Sequence, residues 1–167
     1  TSGVKVIEGV EQRIVFLGMD QARDELLYSN VKGKNPLKDK RVRQALYHAL
    51  NRDQMVSTQL PEGALAASQF MPEAVSGYNS SLPPNAYDPE KAKALLKDAG
   101  VTTPLNLTLT LPPPQYARKG GEVIAAQLAK VGVEVKTENV EWAQWLSGTF
   151  KGNFDLTIIN HVEPLDY

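Results

Sequence analysis

The stretch Leu105-Asn106-Leu107-Thr108-Leu109-Thr110-Leu111 alternates leucine with polar residues. Successive side chains of a strand point to opposite faces of a sheet, so this period of two predicts a strand with an apolar face. Two further strands are predicted downstream, over residues 133–138 and 154–160. The last of them is apolar at most positions, which is typical of a strand buried on both faces.

Helical patterns separate these strands. Residues 120–131 carry an apolar stripe with Leu128 at its centre, so Leu128 is expected to pack against the sheet. Asn139 is expected to cap the next helix, with Trp142 on its buried stripe and Trp145 to one side of that stripe. The resulting order, β-α-β-α-β with short links, predicts an α/β fold in which helices flank a mostly parallel sheet.

The first half of the chain adds one strand and several helices. A short apolar run predicts a strand over residues 13–19. Asp39, Asn51 and Asp88 each precede a helical pattern and are expected to cap it. Residues 61–89 are rich in proline and glycine and predict a long irregular connection.

Composition excludes several classes of protein. The chain has 167 residues, with 18 Lys and Arg against 19 Asp and Glu, and this near-neutral balance argues against a nucleic-acid-binding surface. It has no Cys, which excludes disulfide scaffolds, zinc–thiolate sites and cysteine nucleophiles. We predict a single domain over residues 1–167 and interpret both ends as cuts within a longer protein.

Candidate functional residues follow from the expected sheet. In open parallel sheets, ligands bind beyond the carboxyl ends of the strands, which here selects the loops 112–118, 139–142 and 160–166. Glu163 is the first candidate, since its carboxylate is suited to an ammonium group. His161 could face the same cleft. The alternative for both is a solvated side chain near the end of the chain.

Five further residues complete the candidate ligand site. Asn160 and Asp166 flank the same loop, and Tyr116 and Arg118 follow a run of prolines that would hold them rigidly. A guanidinium such as that of Arg118 can bind a carboxylate through two parallel hydrogen bonds, although an exposed Arg at a helix start is usually only solvated. Trp145 would line the cleft or lie on the surface.

Signatures of catalysis are weak. The sequence contains no G-x-S-x-G elbow, no H-E-x-x-H pair and no cluster with metal-ligand spacing. The pair Gly120-Gly121 lacks the spacing of a phosphate-binding loop, and His48 lies within a helical pattern as a structural or surface residue. We therefore predict no catalytic residue, metal or cofactor. A hydrolase using His161 with Glu163, and a signalling receptor lobe, remain the alternatives.

Two segments of the chain resemble a known family. Residues 35–46, NPLKDKRVRQAL, are followed by ALNRD at 49–53, and residues 87–100 read YDPEKAKALLKDAG. Both are similar to signatures of the family 5 extracellular solute-binding proteins, the oligopeptide, dipeptide and nickel receptors of ABC importers. The later strands and helices follow in the order of that family.

The resemblance implies a larger protein with two lobes that close on a ligand around a hinge. This chain would be the C-terminal lobe, with a type II periplasmic-binding-protein-like fold. Its partners would be a missing N-terminal lobe, a peptide or similar small solute and an ABC permease, in the periplasm or on an extracellular lipoprotein. Peptide-binding members carry an Asp after the last strand; Pro164 occupies that place here, which leaves Glu163 or Asp166 to substitute for it.

Overall fold

The structure is a computed structural model that describes residues 3, 5, 7, 9, 11–60, 62–82 and 86–162. Its strands are β1 (Arg13–Met19), β2 (Leu105–Leu111), β3 (Val133–Asn139) and β4 (Leu156–Val162). Its α-helices are α1 (Lys40–Ala49), α2 (Arg52–Gln59), α3 (Pro89–Asp98), α4 (Gln115–Ala129) and α5 (Trp142–Ser147). Two 3₁₀ turns, Pro36–Lys38 and Thr149–Lys151, precede α1 and follow α5.

The four strands form one sheet in the order β1-β4-β2-β3. β2 runs parallel to both β3 and β4, which confirms the predicted parallel arrangement. β1 is antiparallel to β4, with Arg13 opposite Val162 and Met19 opposite Leu156. The start of β1 therefore lies beside the carboxyl end of β4, at the end of the sheet that we call the carboxyl edge.

The two faces of the sheet have different coverings. The leucines of β2 lie on one face, where Leu128 of α4 is fully buried as predicted. Thr110 and Thr157 lie side by side on the opposite face, beneath α5. The main apolar core is thus on the α4 side, and α1 and α3 extend it through their own buried stripes.

Helix α4 approaches β2 closely because of a glycine. A Cβ atom at Gly121 would lie 2.5 Å from Cδ1 of Leu111, a distance that real side chains do not adopt. Gly121 therefore serves the packing of α4 on β2, and the pair lies within a helix rather than in a loop that holds a phosphate group. The predicted helix starts at residue 120, which is too late. Helix α4 begins at Gln115, directly after Pro114, and Ala117 is buried in its first turn.

The segment that resembles the first family signature forms a scaffold. Asn35 is buried, donates from Nδ2 to the carbonyls of Asp20 and Arg23, and accepts from the Leu37 amide. Asp39 caps α1 as predicted, by accepting a hydrogen bond from the Arg41 amide. These contacts fix the turn that leads into α1, and they lie away from the carboxyl ends of the strands.

The prediction for the tryptophan helix is wrong in its cap and in its buried face. Asn139 ends β3, and α5 starts at Trp142 after Glu141. Trp145 is buried, whereas Trp142 is 41% exposed. The indole N–H of Trp145 donates to the Thr157 hydroxyl at 3.1 Å. The apolar stripe correctly indicates an amphipathic helix. The side that packs on the sheet carries Trp145, because its indole N–H finds a hydrogen-bond acceptor there.

Candidate functional site

The candidate residues of the last strand point in two directions. The predicted strand ends at residue 160 and the predicted loop begins there, but β4 continues through Val162, so both Asn160 and His161 are strand residues. Neighbouring strand residues face opposite sides of a sheet. Asn160 lies on the α4 face, and His161 lies on the α5 face.

Asn160 belongs to a polar group that joins β4, β1 and Glu11, two residues before β1. Arg13, the first residue of β1, donates from a terminal guanidinium nitrogen to Oδ1 of Asn160 at 2.9 Å. The Nε atom of Arg13 donates to Glu11 at 2.9 Å. Arg13 is not among the residues predicted for the site, because only the antiparallel pairing of β1 with β4 brings it to the carboxyl end of the strands.

Tyr116 lies beside this group in the first turn of α4 and is partly buried. Burial raises the pKa of its hydroxyl, whereas hydrogen-bonding groups of Asn160 and the charge of Arg13 act to lower it. The hydroxyl oxygen is shielded from solvent and makes no hydrogen bond of normal geometry to the described residues. The environment of the hydroxyl is therefore set by burial and by its neighbours Asn160 and Arg13.

Arg118 lies two residues after Tyr116 on α4 and pairs with a carboxylate of the neighbouring loop. Its guanidinium lies 3.0 Å from Oε1 of Glu141, which directly precedes α5. The side chains are 39% and 77% exposed, so solvent and salt screen the pair. Glu141 occupies the position in which the sequence analysis expected a ligand carboxylate to meet Arg118.

His161 and Trp145 are held by other aromatic or polar groups. The ring of Phe70, in the irregular connection, stacks on His161 with centroids 6.4 Å apart and meets Phe16 of β1 edge-on at 5.2 Å. His161 is exposed on its outer side. Trp145 is buried beneath α5, and its contact with Thr157 places it inside the protein rather than at the carboxyl edge.

Two of the predicted ligand residues, Glu163 and Asp166, lie outside the described residues. Among the candidates that the structure describes, Asn160 and Tyr116 lie together, and Arg118 is on the same turn of α4. His161 and Trp145 lie apart from them, on the other face of the sheet. Within the described part of the chain, no group of three or more His, Cys, Asp or Glu side chains is arranged to hold a metal ion. No helix among the described residues is long and apolar enough to cross a membrane.

The four-stranded, mostly parallel sheet flanked by helices matches the fold of solved periplasmic binding proteins. HbpA2 from Haemophilus parasuis superposes with a TM-score of 0.81 and 29% identity, over 93% of this chain and 30% of that chain. The ABC transporter-associated periplasmic binding protein DppA from Helicobacter pylori, solved with the peptide STSA, gives 0.78 and 28%, over 90% of this chain and 27% of that chain.

The sequence comparison identifies the family. The profile described as "Bacterial extracellular solute-binding proteins, family 5 Middle" matches residues 1–164. The chain belongs to this family, as its two signatures predict. The dipeptide-binding protein of Escherichia coli (strain K12) is 40% identical over 118 residues, which are 68% of this chain and 22% of that protein. The chain thus spans about a fifth of the length of this curated relative.

Proposed function

We propose that the chain is the C-terminal lobe of a two-lobed receptor that captures peptides and delivers them to an ABC permease. The observation that carries the proposal is family membership together with the relatives' ligands: one related protein is named for dipeptides, and another was solved with a peptide. The polar groups of the candidate site lie at the edge where open parallel sheets receive ligands.

The strand arrangement supports the two-lobed architecture. Arg13 at the start of β1 lies opposite Val162 at the end of β4, so two adjacent connections cross the same edge of the sheet. Paired connections of this kind suit a hinge, because they allow a second lobe to rotate about one axis while both strands keep their pairing. Closure is then favoured by the ligand's higher affinity for the closed state.

Each candidate residue is assigned to a different group of the peptide. Glu163 meets the α-amino group of the peptide, and Asp166 is the second carboxylate within reach of that loop. Arg118 exchanges Glu141 for the peptide carboxylate, while Tyr116 and Asn160 offer polar groups to the peptide backbone. His161 lies on the other face of β4, next to Phe70. Its contribution to ligand binding is indirect, through the backbone of the loop that follows it.

The proposed location is the periplasm or the outer surface of the cell as a lipoprotein. The family is described as extracellular, and the related Helicobacter pylori protein is named as periplasmic and associated with an ABC transporter. The receptor captures its ligand without a reaction. Turnover of a panel of esters and peptides by the purified receptor would instead favour the hydrolase hypothesis that pairs His161 with Glu163.

Calorimetric titration of the intact receptor with an unmodified dipeptide tests the assignment. Glu163→Gln keeps the shape and removes the charge, so it should cost about 2–5 kcal/mol of binding free energy by leaving the ammonium group unpaired. Glu122→Gln, an exposed carboxylate on α4, is the matched control and should leave the dissociation constant unchanged.

An N-acetylated dipeptide separates charge pairing from the other contacts. It lacks the ammonium group, so Glu163→Gln should not weaken the binding of this ligand. An unchanged dissociation constant for Glu163→Gln with the unmodified dipeptide would remove this residue from the site. The 167-residue chain alone should bind the same dipeptide weakly or undetectably, because it holds half of the proposed site.

A further inference from the structure

Arg13 brings a second guanidinium to the carboxyl edge, beside the residues proposed for the ligand. It is the first residue of β1 and lies opposite Val162, the last residue of β4. One of its terminal nitrogens donates to Asn160, and Tyr116 of α4 lies next to both. The Arg13 side chain is 41% exposed, so a solute can reach it at the edge where open parallel sheets receive ligands.

The guanidinium of Arg13 keeps two donors after its contacts within the described chain. A guanidinium carries five N–H groups in a planar fork. Two of them donate to the carboxylate of Glu11, from Nε at 2.9 Å and from Nη2 at 2.5 Å, and a third, on Nη1, donates to Oδ1 of Asn160 at 2.9 Å. The remaining pair, one N–H on each terminal nitrogen, has no acceptor among the described residues. Because a carboxylate binds a guanidinium through two parallel hydrogen bonds, it can bind Arg13 without displacing either partner.

We propose that Arg13 recognises an acidic side chain on the first residue of the bound peptide, so that the receptor prefers peptides that begin with aspartate or glutamate. This inference rests on the proposed function, in which Glu163 meets the α-amino group and Arg118 meets the α-carboxylate. A peptide with an acidic side chain then supplies a second carboxylate for the second guanidinium.

The positions of the two arginines indicate which ligand residue lies near Arg13. Val162, opposite Arg13 in the sheet, directly precedes Glu163 in the sequence. Arg118 pairs with Glu141, which follows β3, and β1 and β3 are the outermost strands on opposite sides of the sheet. In the proposed pose, the α-amino end of the peptide is therefore nearer to Arg13, and the α-carboxylate is nearer to Arg118. The side chain within reach of Arg13 is that of the first ligand residue.

Glu11 weakens the attraction between Arg13 and an acidic ligand. Its side chain is 57% exposed, and it carries the same charge as the ligand carboxylate. Exposed charge pairs contribute about 0.2–1 kcal/mol, which corresponds to at most about a fivefold change in affinity. Glu11→Gln should therefore strengthen the binding of an acidic peptide by up to about fivefold and leave the binding of a neutral one unchanged.

Calorimetric titration of the intact receptor with aspartyl-alanine and asparaginyl-alanine tests the inference. The two dipeptides have nearly the same shape and differ in one charge. Arg13→Gln should reduce the preference for aspartyl-alanine at least about tenfold, because a hydrogen-bonded ion pair is lost. Arg41→Gln is the matched control and should keep the preference, since Arg41 also pairs with a carboxylate two residues earlier, Asp39, but lies in α1 away from the carboxyl edge.

Three outcomes would overturn the inference while leaving the proposed function in place. The wild-type receptor could bind both dipeptides with equal affinity, which would show that no cation recognises the acidic side chain. Equal weakening of both dipeptides by Arg13→Gln would show that Arg13 contacts a group common to all peptides or acts through the fold. Loss of the preference in Arg41→Gln would assign it to the overall charge of the receptor. A wild-type receptor that binds neither dipeptide would instead overturn the proposed function, and this inference with it.

Discussion

Polar side chains at the two ends of the parallel strands differ in their burial and in their hydrogen bonding. At the amino end of β4, Asp155 is fully buried and accepts hydrogen bonds from the amides of Thr108 and Tyr28 at 3.1 and 3.2 Å. At the carboxyl end, Arg118 and Glu141 pair within reach of solvent. The first end resembles a protein interior in its hydrogen bonding, and the second resembles a surface.

This difference separates scaffold from candidate site. A buried polar group with all its partners is costly to disturb, because any lost partner leaves an unpaired group in a poorly solvated place. Exposed pairs such as Arg118–Glu141 exchange partners at little cost, since water replaces what is lost. The groups at the carboxyl end can therefore change partners without unfolding of the chain.

The largest expected effect on the scaffold is that of Asp155→Ala. It removes the acceptor for two backbone amides, each worth about 1–3 kcal/mol when left unpaired, so the free energy of unfolding should fall by about 2–6 kcal/mol. Urea unfolding of the 167-residue chain measures the change. Glu141→Ala at the other end is the matched control and should cost no more than about 1 kcal/mol, the upper range of an exposed ion pair. Equal losses for the two variants would contradict the contrast between the ends.

Asn35→Ala should have the next largest effect. The variant loses two donated hydrogen bonds and the acceptor for the Leu37 amide in a buried turn, for a cost of about 1–3 kcal/mol. Asn35→Asp keeps the acceptor and loses both donors, so it separates the two contributions. If Asn35→Ala unfolded at the same urea concentration as the wild type, the turn would not depend on this side chain.

The pH dependence of stability tests the burial of Asp155 more finely. Burial raises the pKa of this carboxyl, the amides of Thr108 and Tyr28 oppose the shift, and the nearby carboxylate of Asp20 adds to it. Because the folded-state pKa lies above the unfolded value of about 4, the folded protein binds the proton more tightly. Stability from this group should therefore fall as pH rises from about 4 through the raised pKa.

Asp155→Asn removes this titration and serves as the reference. The unfolding free energy of the wild type, measured relative to this variant, should decline over that interval and then level off. Subtraction cancels groups of opposite sign such as Asp39, whose pKa is lowered by its hydrogen bond with Arg41 and whose contribution is lost on acidification. Parallel pH profiles for the two proteins would show that Asp155 has an ordinary pKa.

The smallest expected effect is the coupling between Arg118 and Glu141. A double-mutant cycle with Arg118→Gln and Glu141→Gln should give about 0.2–1 kcal/mol at low salt, the range of exposed ion pairs. The coupling should vanish in 1 M salt, where the Debye length is about 3 Å. A coupling that persisted in high salt would indicate a desolvated pair and would erase the distinction between the two ends of the sheet.

Much of the fold could be predicted from local pattern. Strand β2 and its parallel partners follow from alternation and from the helices between them, and Asp39 and Asp88 cap the helices expected of them. These features depend on contacts a few residues apart, which composition and spacing encode directly. The burial of Leu128 follows in the same way from a single apolar stripe.

The candidate site could be predicted only in part. The strand-end rule selected Asn160, Tyr116 and Arg118, all of which lie at or near the carboxyl edge. It also placed Asn160 and His161 in one loop, whereas the strand continues and sends them to opposite faces. A prediction that ends a strand two residues early loses the alternation that decides which side chains meet.

The sequence by itself determined the α/β class, the family and the positions of most elements, because these depend on periodicity, caps and signature residues along the chain. Only the tertiary structure decided that Trp145 rather than Trp142 is buried, and that Arg13 reaches Asn160. Both outcomes depend on partners far apart in sequence, Thr157 beneath α5 and the antiparallel pairing of β1 with β4. Such contacts are selected by the fit and hydrogen bonding of the assembled sheet, and no local pattern carries that information.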